Sequence, residues 1–183
     1  MILASASSVA WLLGLAAAVA YAVPALAARA IGAVSARRVL TLAWLLHGAQ
    51  LAWVQLTHPP RFGFAQSLSI TVWLALTVYV IERRLYPRLP ARWALAGFGS
   101  LAIVLALLFP GAPLPATSSP LLGLHSALGL SAYGLFAAAV AHGWLMTRAE
   151  RQMRQAAPGQ DAGVPLLTLE RLMFRFIGAG FVL

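Results

Sequence analysis

Residues 64–81 read FAQSLSITVWLALTVYVI, a predominantly apolar stretch in which no side chain is charged. A helix needs about 20 such residues to cross a hydrocarbon core of about 30 Å. The apolar residues follow one another instead of alternating with polar ones, which is typical of a membrane helix and not of a barrel strand. Because a single segment in lipid can satisfy its own backbone groups only as a helix, this stretch predicts a membrane-spanning helix.

The same pattern recurs along the whole chain. We predict an all-α fold, a polytopic transmembrane helix bundle in which 1–183 form a single integral membrane domain. The predicted spans are about 7–27, 39–56, 64–81, 93–109 and 121–146, with an incomplete sixth at 169–183. The final apolar run, 176–183, would extend only about 12 Å as a helix, so we expect the chain to stop within this sixth span.

Composition excludes several classes of protein. The chain is 61% hydrophobic and 9% charged, whereas a soluble domain is about 45–50% apolar and about 25% charged. A soluble enzyme, a disordered tail and a nucleic-acid-binding domain are therefore excluded. The chain has no cysteine, which also excludes disulfides, thiolate metal sites and iron–sulfur clusters within it.

The basic residues predict the orientation in the membrane. All 13 are arginines, and Arg61 is the only one that falls in an even-numbered predicted loop. The positive-inside rule then places the odd-numbered loops in the cytoplasm and the N-terminus on the outer side of the membrane. Residues 24–28, PALAA, also resemble a signal-peptide cleavage site. The uncharged start at 1–8 and the long apolar run favour a retained first span.

Polar side chains inside the predicted spans are the candidate functional groups, because they are costly in lipid. His47 lies near the predicted midplane, with Trp44 and Gln50 three residues to either side on the same face. His125 lies near the predicted outer surface, with Gly129 one turn later, where the absence of a side chain leaves room for a flat ligand. Each histidine has an alternative role as a hydrogen-bonding link between helices.

Two further histidines are weaker candidates. His142 lies near the cytoplasmic end of the same predicted span as His125, on a different face, and His58 lies in the second loop. No Asp or Glu falls within the five complete predicted spans, so we expect no buried pair of histidine and carboxylate. The six tryptophans lie mostly near span ends, which favours anchoring at the membrane interface.

Four stretches carry a resemblance to a known family: LHSALGLSAYGLF at 124–136, VPLLTLERLMFRF at 164–176, RFGFAQSLS at 61–69 and LHGA at 46–49. They resemble the YpjD branch of the CcsA/HemX-like cytochrome c assembly superfamily, from about residue 40 onwards. The resemblance implies heme handling in the inner membrane. It implies that His125 is the outer-face ligand of heme iron, with Gly129 beside it, and that His47 corresponds to a heme-binding histidine within the spans.

Three functions remain open from the sequence. The first is a heme-binding protein of cytochrome c maturation, with other maturation proteins as partners and His125 as one axial ligand. The second is a non-catalytic membrane partner of a transporter or ion-efflux protein, in which the histidines are structural. The third, a quinone-linked membrane enzyme, is the least favoured, because the five complete predicted spans hold no carboxylate to carry protons. Nucleic acid is excluded as a partner, and membrane lipid is expected.

Overall fold

The computed structural model describes residues 8–27, 30–57, 61–85, 92–113, 120–155 and 165–183. Within these ranges the chain forms six helices and one pair of two-residue strands, so the predicted all-α class holds apart from this small ribbon. The elements are α1 (Ser8–Leu26), α2 (Ala33–Thr57), β1 (Arg61–Phe62), α3 (Phe64–Leu85), α4 (Arg92–Leu108), β2 (Ala112–Pro113), α5 (Pro120–Gln155) and α6 (Leu166–Val182).

Four of the helices, α1, α2, α3 and α5, are long and apolar enough to cross a membrane. The apolar part of α4, Trp93–Leu108, is shorter, and α6 has 17 residues. At 1.5 Å per residue, a helix of this length extends about 26 Å, slightly less than a hydrocarbon core of about 30 Å. The described part of the chain therefore has the helix lengths and the composition of a membrane protein.

Several helix ends differ from the predicted span limits. The helix α2 begins at Ala33 and not at 39, so Arg37 and Arg38 lie on its first turns instead of in a loop. Arginine is a good helix former, and a helix does not have to end where the apolar run ends. The helix α5 continues through Arg154, past the predicted end of the fifth span at 146. His58 lies outside the described residues.

Helices α1 to α4 form a four-helix bundle in which each packs on the next and α4 packs back against α1. Each contributes one of the largest fully buried apolar side chains: Tyr21, Leu40, Leu76 and Ile103. Buried alanines and glycines between these side chains let the helix backbones approach closely, as is common in membrane bundles. The helix α5 packs against α3 from outside this bundle, and α6 packs against α5.

Contacts at each end of the bundle hold its loops together. At one end β1 pairs antiparallel with β2, Phe62 opposite Ala112. The approach is so close that a Cβ on Gly63 would lie 2.9 Å from the Cα of Gly111, and Gly111 itself adopts a φ of +73°, which favours glycine. At the other end the guanidinium of Arg83 donates to the hydroxyl of Thr41 and to a carbonyl on the first turns of α2. The connections after α2 and α4 therefore share one end of the bundle, opposite the arginine-bearing start of α2 and end of α3.

Candidate functional site

His47 lies in the core of the four-helix bundle and is fully buried. A hydrogen bond of 2.9 Å joins its Nε2 to the hydroxyl of Ser69 on α3, and its ring meets Tyr21 of α1 edge-on, with the ring centroids 5.9 Å apart. Among the described residues its Nδ1 has no hydrogen-bond partner. The imidazole therefore connects α1, α2 and α3, and its Nε2 is already bonded.

The polar stripe predicted on α2 does face the bundle interior. Gln50 is buried together with His47, and Trp44 is partly buried against α3. The indole of Trp44 stacks on that of Trp73, and Trp93 of α4 meets Trp144 of α5 edge-on. Interface anchoring, which the sequence favoured for the tryptophans, is therefore wrong for Trp44 and Trp73, which pack on each other between α2 and α3.

His125 has a very different environment, on the exposed first turns of α5. Its side chain is exposed, as are those of Leu121, Leu122 and Leu124. A Cβ added to Gly129 would meet nothing within 4 Å. The room expected beside His125 is therefore present as open surface along the helix.

The packing of α5 on α3 shows how far along the axis of the bundle His125 lies. Gly134 packs on Leu74, and His142 pairs with Glu82. In both cases the residue of α5 lies beside the residue of α3 whose number is 60 lower, so the two helices run parallel. The same offset places His125 level with the first turn of α3, at the end of the bundle that carries β1 and β2. His142 lies about 25 Å further along the α5 axis at 1.5 Å per residue.

His142 lies at the interface of α3 and α5, where it pairs with a carboxylate that the sequence analysis missed. Its Nε2 is 3.1 Å from Oε2 of Glu82, and both side chains are nearly completely buried. The ring Nδ1 is 2.8 Å from the carbonyl of Ala138, and Phe176 of α6 packs on the ring. The expectation that no buried histidine–carboxylate pair exists is therefore wrong.

The reason for this error is the position of Glu82. It comes immediately before Arg83 and Arg84 and directly after the predicted span, which ends at residue 81. The residues one and two turns before it, Tyr79 and Ala75, are buried, and helical spacing places Glu82 on their face. This spacing was the available signal that Glu82 points into the protein.

The three histidines that the structure describes do not come together into one site. His47 faces the interior of the bundle from α2, whereas His125 and His142 lie on α5, on the other side of α3 and at different levels. No group of three or more His, Cys, Asp or Glu side chains suited to a metal ion occurs among the residues that the structure describes.

Comparisons with family models, with curated proteins and with solved structures return no match for this chain.

Proposed function

We propose that this chain is a multi-pass protein of the bacterial inner membrane that handles heme during cytochrome c maturation. In this proposal the imidazole of His125 is an axial ligand of the heme iron, and other maturation proteins are the partners. The resemblance of residues 124–136 and 164–176 to the CcsA/HemX-like superfamily supports this assignment of function. In this role the chain carries heme in the membrane and does not itself catalyse a reaction.

The orientation belongs to the same proposal. Five complete spans and the start of a sixth, with a periplasmic N-terminus, place the arginine-bearing ends of α2 and α3 in the cytoplasm. The ribbon of β1 and β2 then lies at the periplasmic end. In this arrangement β1 and β2 lie on one side of the membrane, and the start of α2 and the end of α3 lie on the other. The pairing of β1 with β2 and the bond between Arg83 and Thr41 support it, because each contact joins segments that must share a side. His125 lies at the ribbon end, where an apocytochrome in the periplasm could receive heme.

The observation that carries the proposal is the exposed imidazole of His125 with open surface beside it at Gly129. Heme carries two propionates, and burying such charges costs several kcal/mol each unless they are paired. At the level of the first turn of α3 the propionates can remain in water while the iron meets the imidazole. A neutral imidazole nitrogen is a common axial ligand of heme iron.

His47 is the weaker of the two candidate ligands. Its Nε2 is hydrogen-bonded to Ser69, and Tyr21 packs against the ring. A porphyrin would have to displace both of these contacts and separate α1, α2 and α3. We therefore assign His47 a structural role and His125 the ligand role.

The test is the heme content of the purified chain. Wild type, His125→Ala, His47→Ala and the matched control Leu124→Ala are expressed to equal protein levels and assayed as pyridine hemochrome per mole of protein. Losing even an outer-shell group of a metal site costs about 10- to 100-fold in affinity, so His125→Ala is expected to lower heme at least about tenfold. Leu124→Ala and His47→Ala should retain it. A colourless wild-type protein, or equal heme in all four samples, would reject the ligand role.

A second candidate function is a non-catalytic membrane partner of a transporter or ion-efflux protein. The observation that favours it is that His47 and His142 are both bonded across helix interfaces, as structural histidines would be. In that case the purified chain is colourless and stable without heme. The pyridine-hemochrome assay of the purified chain therefore distinguishes the two functions.

A further inference from the structure

The interface of α3, α4 and α5 contains a small cavity beside Glu82 and His142. Its volume is about 20 Å³, and its walls are otherwise apolar apart from Tyr79, including Leu95 of α4 and Leu145 of α5. A cavity can hold a water molecule when it offers about 10–15 Å³ and two to four polar partners. This cavity has room for one water.

Two buried polar atoms at this cavity lack a well-formed hydrogen bond. Oε1 of Glu82 has no partner among the described residues. Nε2 of His142 approaches Oε2 of the same carboxylate to 3.1 Å, but the geometry is too bent for a hydrogen bond. Leaving a buried acceptor or donor without a partner is costly, and more so for a charged group. One water that donates to Oε1 and accepts from Nε2–H would satisfy both atoms.

The hydrogen-bond partners of His142 and Glu82 also indicate how many protons these two side chains hold together. The carbonyl of Ala138 can only accept, so Nδ1 of His142 carries a proton and donates it to that carbonyl over 2.8 Å. Without a second proton, the lone pair of Nε2 would face a carboxylate oxygen at 3.1 Å, and the buried pair would carry an uncompensated negative charge. A second proton, on Nε2 or on the Glu82 carboxyl, removes both penalties.

Other described charged groups on the elements around this site have contacts of their own. Arg83 bonds to Thr41 and to a carbonyl of α2, and Arg148 lies over the ring of Trp144. On α6, the side chain that touches His142 is Phe176, whereas Glu170, Arg171 and Arg175 line a separate open groove together with Leu167 and Phe174. Among the described side chains lining the cavity, the titratable ones are Tyr79, Glu82 and His142.

We propose that Glu82 and His142 form a buried proton-binding site that holds one shared proton and one water molecule between α3, α4 and α5. The site lies near the arginine-bearing end of α3, about 25 Å from His125 along α5, and does not depend on the proposed heme ligation. It gives the chain a buried protonatable group where α5 packs on the four-helix bundle, which the heme proposal alone does not require.

The test is solid-state NMR of the full chain, labelled with 15N-histidine, in lipid bilayers at pH 8, where a histidine in water is almost entirely neutral. The chain has four histidines, and the signals of His142 are those lost in His142→Phe. Infrared spectra of wild type and Glu82→Gln at the same pH report a protonated carboxyl at Glu82. The isosteric Glu82→Gln variant keeps the test interpretable if His142→Phe fails to fold.

We expect one extra proton in the wild type, seen either as His142 protonated on both nitrogens or as a protonated Glu82 carboxyl. If the proton is on histidine, Glu82→Gln should return His142 to a single proton on Nδ1. In water-edited spectra, magnetisation should pass from water to the His142 ring, while the buried His47 serves as the comparison. A neutral His142 beside an ionised Glu82 would overturn the shared proton. A His142 ring that receives no more magnetisation from water than His47 would overturn the bound water.

Discussion

The indole rings of Trp44 and Trp73 stack within 2° of parallel, with their centroids 5.8 Å apart. The Nε1–H of Trp44 donates to the hydroxyl of Thr77, and that hydroxyl donates to the carbonyl of Trp73. The Nε1–H of Trp73 donates in turn to the carbonyl of Trp44. The two helices α2 and α3 are thus joined by a stack whose polar atoms are all satisfied, one turn from the hydrogen bond between His47 and Ser69.

The stack depends on the glycine next to His47. A Cβ on Gly48 would lie 3.0–3.2 Å from atoms of the Trp73 indole, so Gly48→Ala should push the rings apart. Overpacking of this kind costs about 1–3 kcal/mol, and we expect that loss in the free energy of unfolding, measured by SDS titration in detergent. Near-ultraviolet circular dichroism should lose part of its tryptophan signal.

The matched control for this prediction is Gly178→Ala in α6, where an added Cβ meets nothing within 4 Å. Its free energy of unfolding should be unchanged or slightly higher, because alanine favours a helix over glycine. Equal effects of the two substitutions would show that Gly48 is not required for the packing of Trp73.

The sequence predicted the parts of this structure that depend on periodicity and on long apolar runs. The helical class, the existence of each helix and the shared helix face of His47 and Gln50 all follow from such patterns. Which helices pack together does not, because an apolar side chain such as Leu76 suits lipid and a protein interior equally well. The environment of Glu82 was missed for this reason, since its partner His142 lies on a helix sixty residues later in the chain.

The pair of Glu82 and His142 should show strong energetic coupling. Removing one member of a buried charged pair costs about 3–5 kcal/mol, because it leaves the other charge buried without its partner. His142→Phe alone should therefore be strongly destabilising, whereas the double variant Glu82→Gln/His142→Phe should recover part of the loss. The measurement is a double-mutant cycle on the free energy of unfolding, with an expected interaction energy of about 1–3 kcal/mol.

A comparison pair for this cycle is Glu82→Gln with Ser69→Ala, since Ser69 bonds to His47 on the far side of α3. These two substitutions should add within about 0.5 kcal/mol. If Glu82→Gln and His142→Phe are equally additive, the 3.1 Å contact contributes nothing to stability and the pair is not coupled.

The ribbon of β1 and β2 offers a test of both the fold and the orientation. Phe62 and Ala112 are opposite each other in an antiparallel pair, where Cα atoms lie about 4.5–5.5 Å apart, and disulfides need about 4.4–6.8 Å. The chain has no cysteine of its own. The double variant Phe62→Cys/Ala112→Cys should therefore form one disulfide without added oxidant if this end of the bundle lies in the oxidising periplasm. Mass-tagging of free thiols after denaturation should find none until the protein is reduced.

Variants with a single cysteine test the orientation in the membrane separately from the pairing of β1 with β2. Phe62→Cys should react with a membrane-impermeant maleimide in intact spheroplasts, whereas Arg151→Cys, exposed at the other end of α5, should react only after lysis. Reaction of Phe62→Cys only after lysis would reverse the orientation and move His125 to the cytoplasmic side. Labelling of Phe62→Cys from outside, combined with two free thiols in the double variant, would instead reject the pairing of β1 with β2. Each result therefore identifies which statement fails, because the oxidising compartment and the short distance are both required for the disulfide.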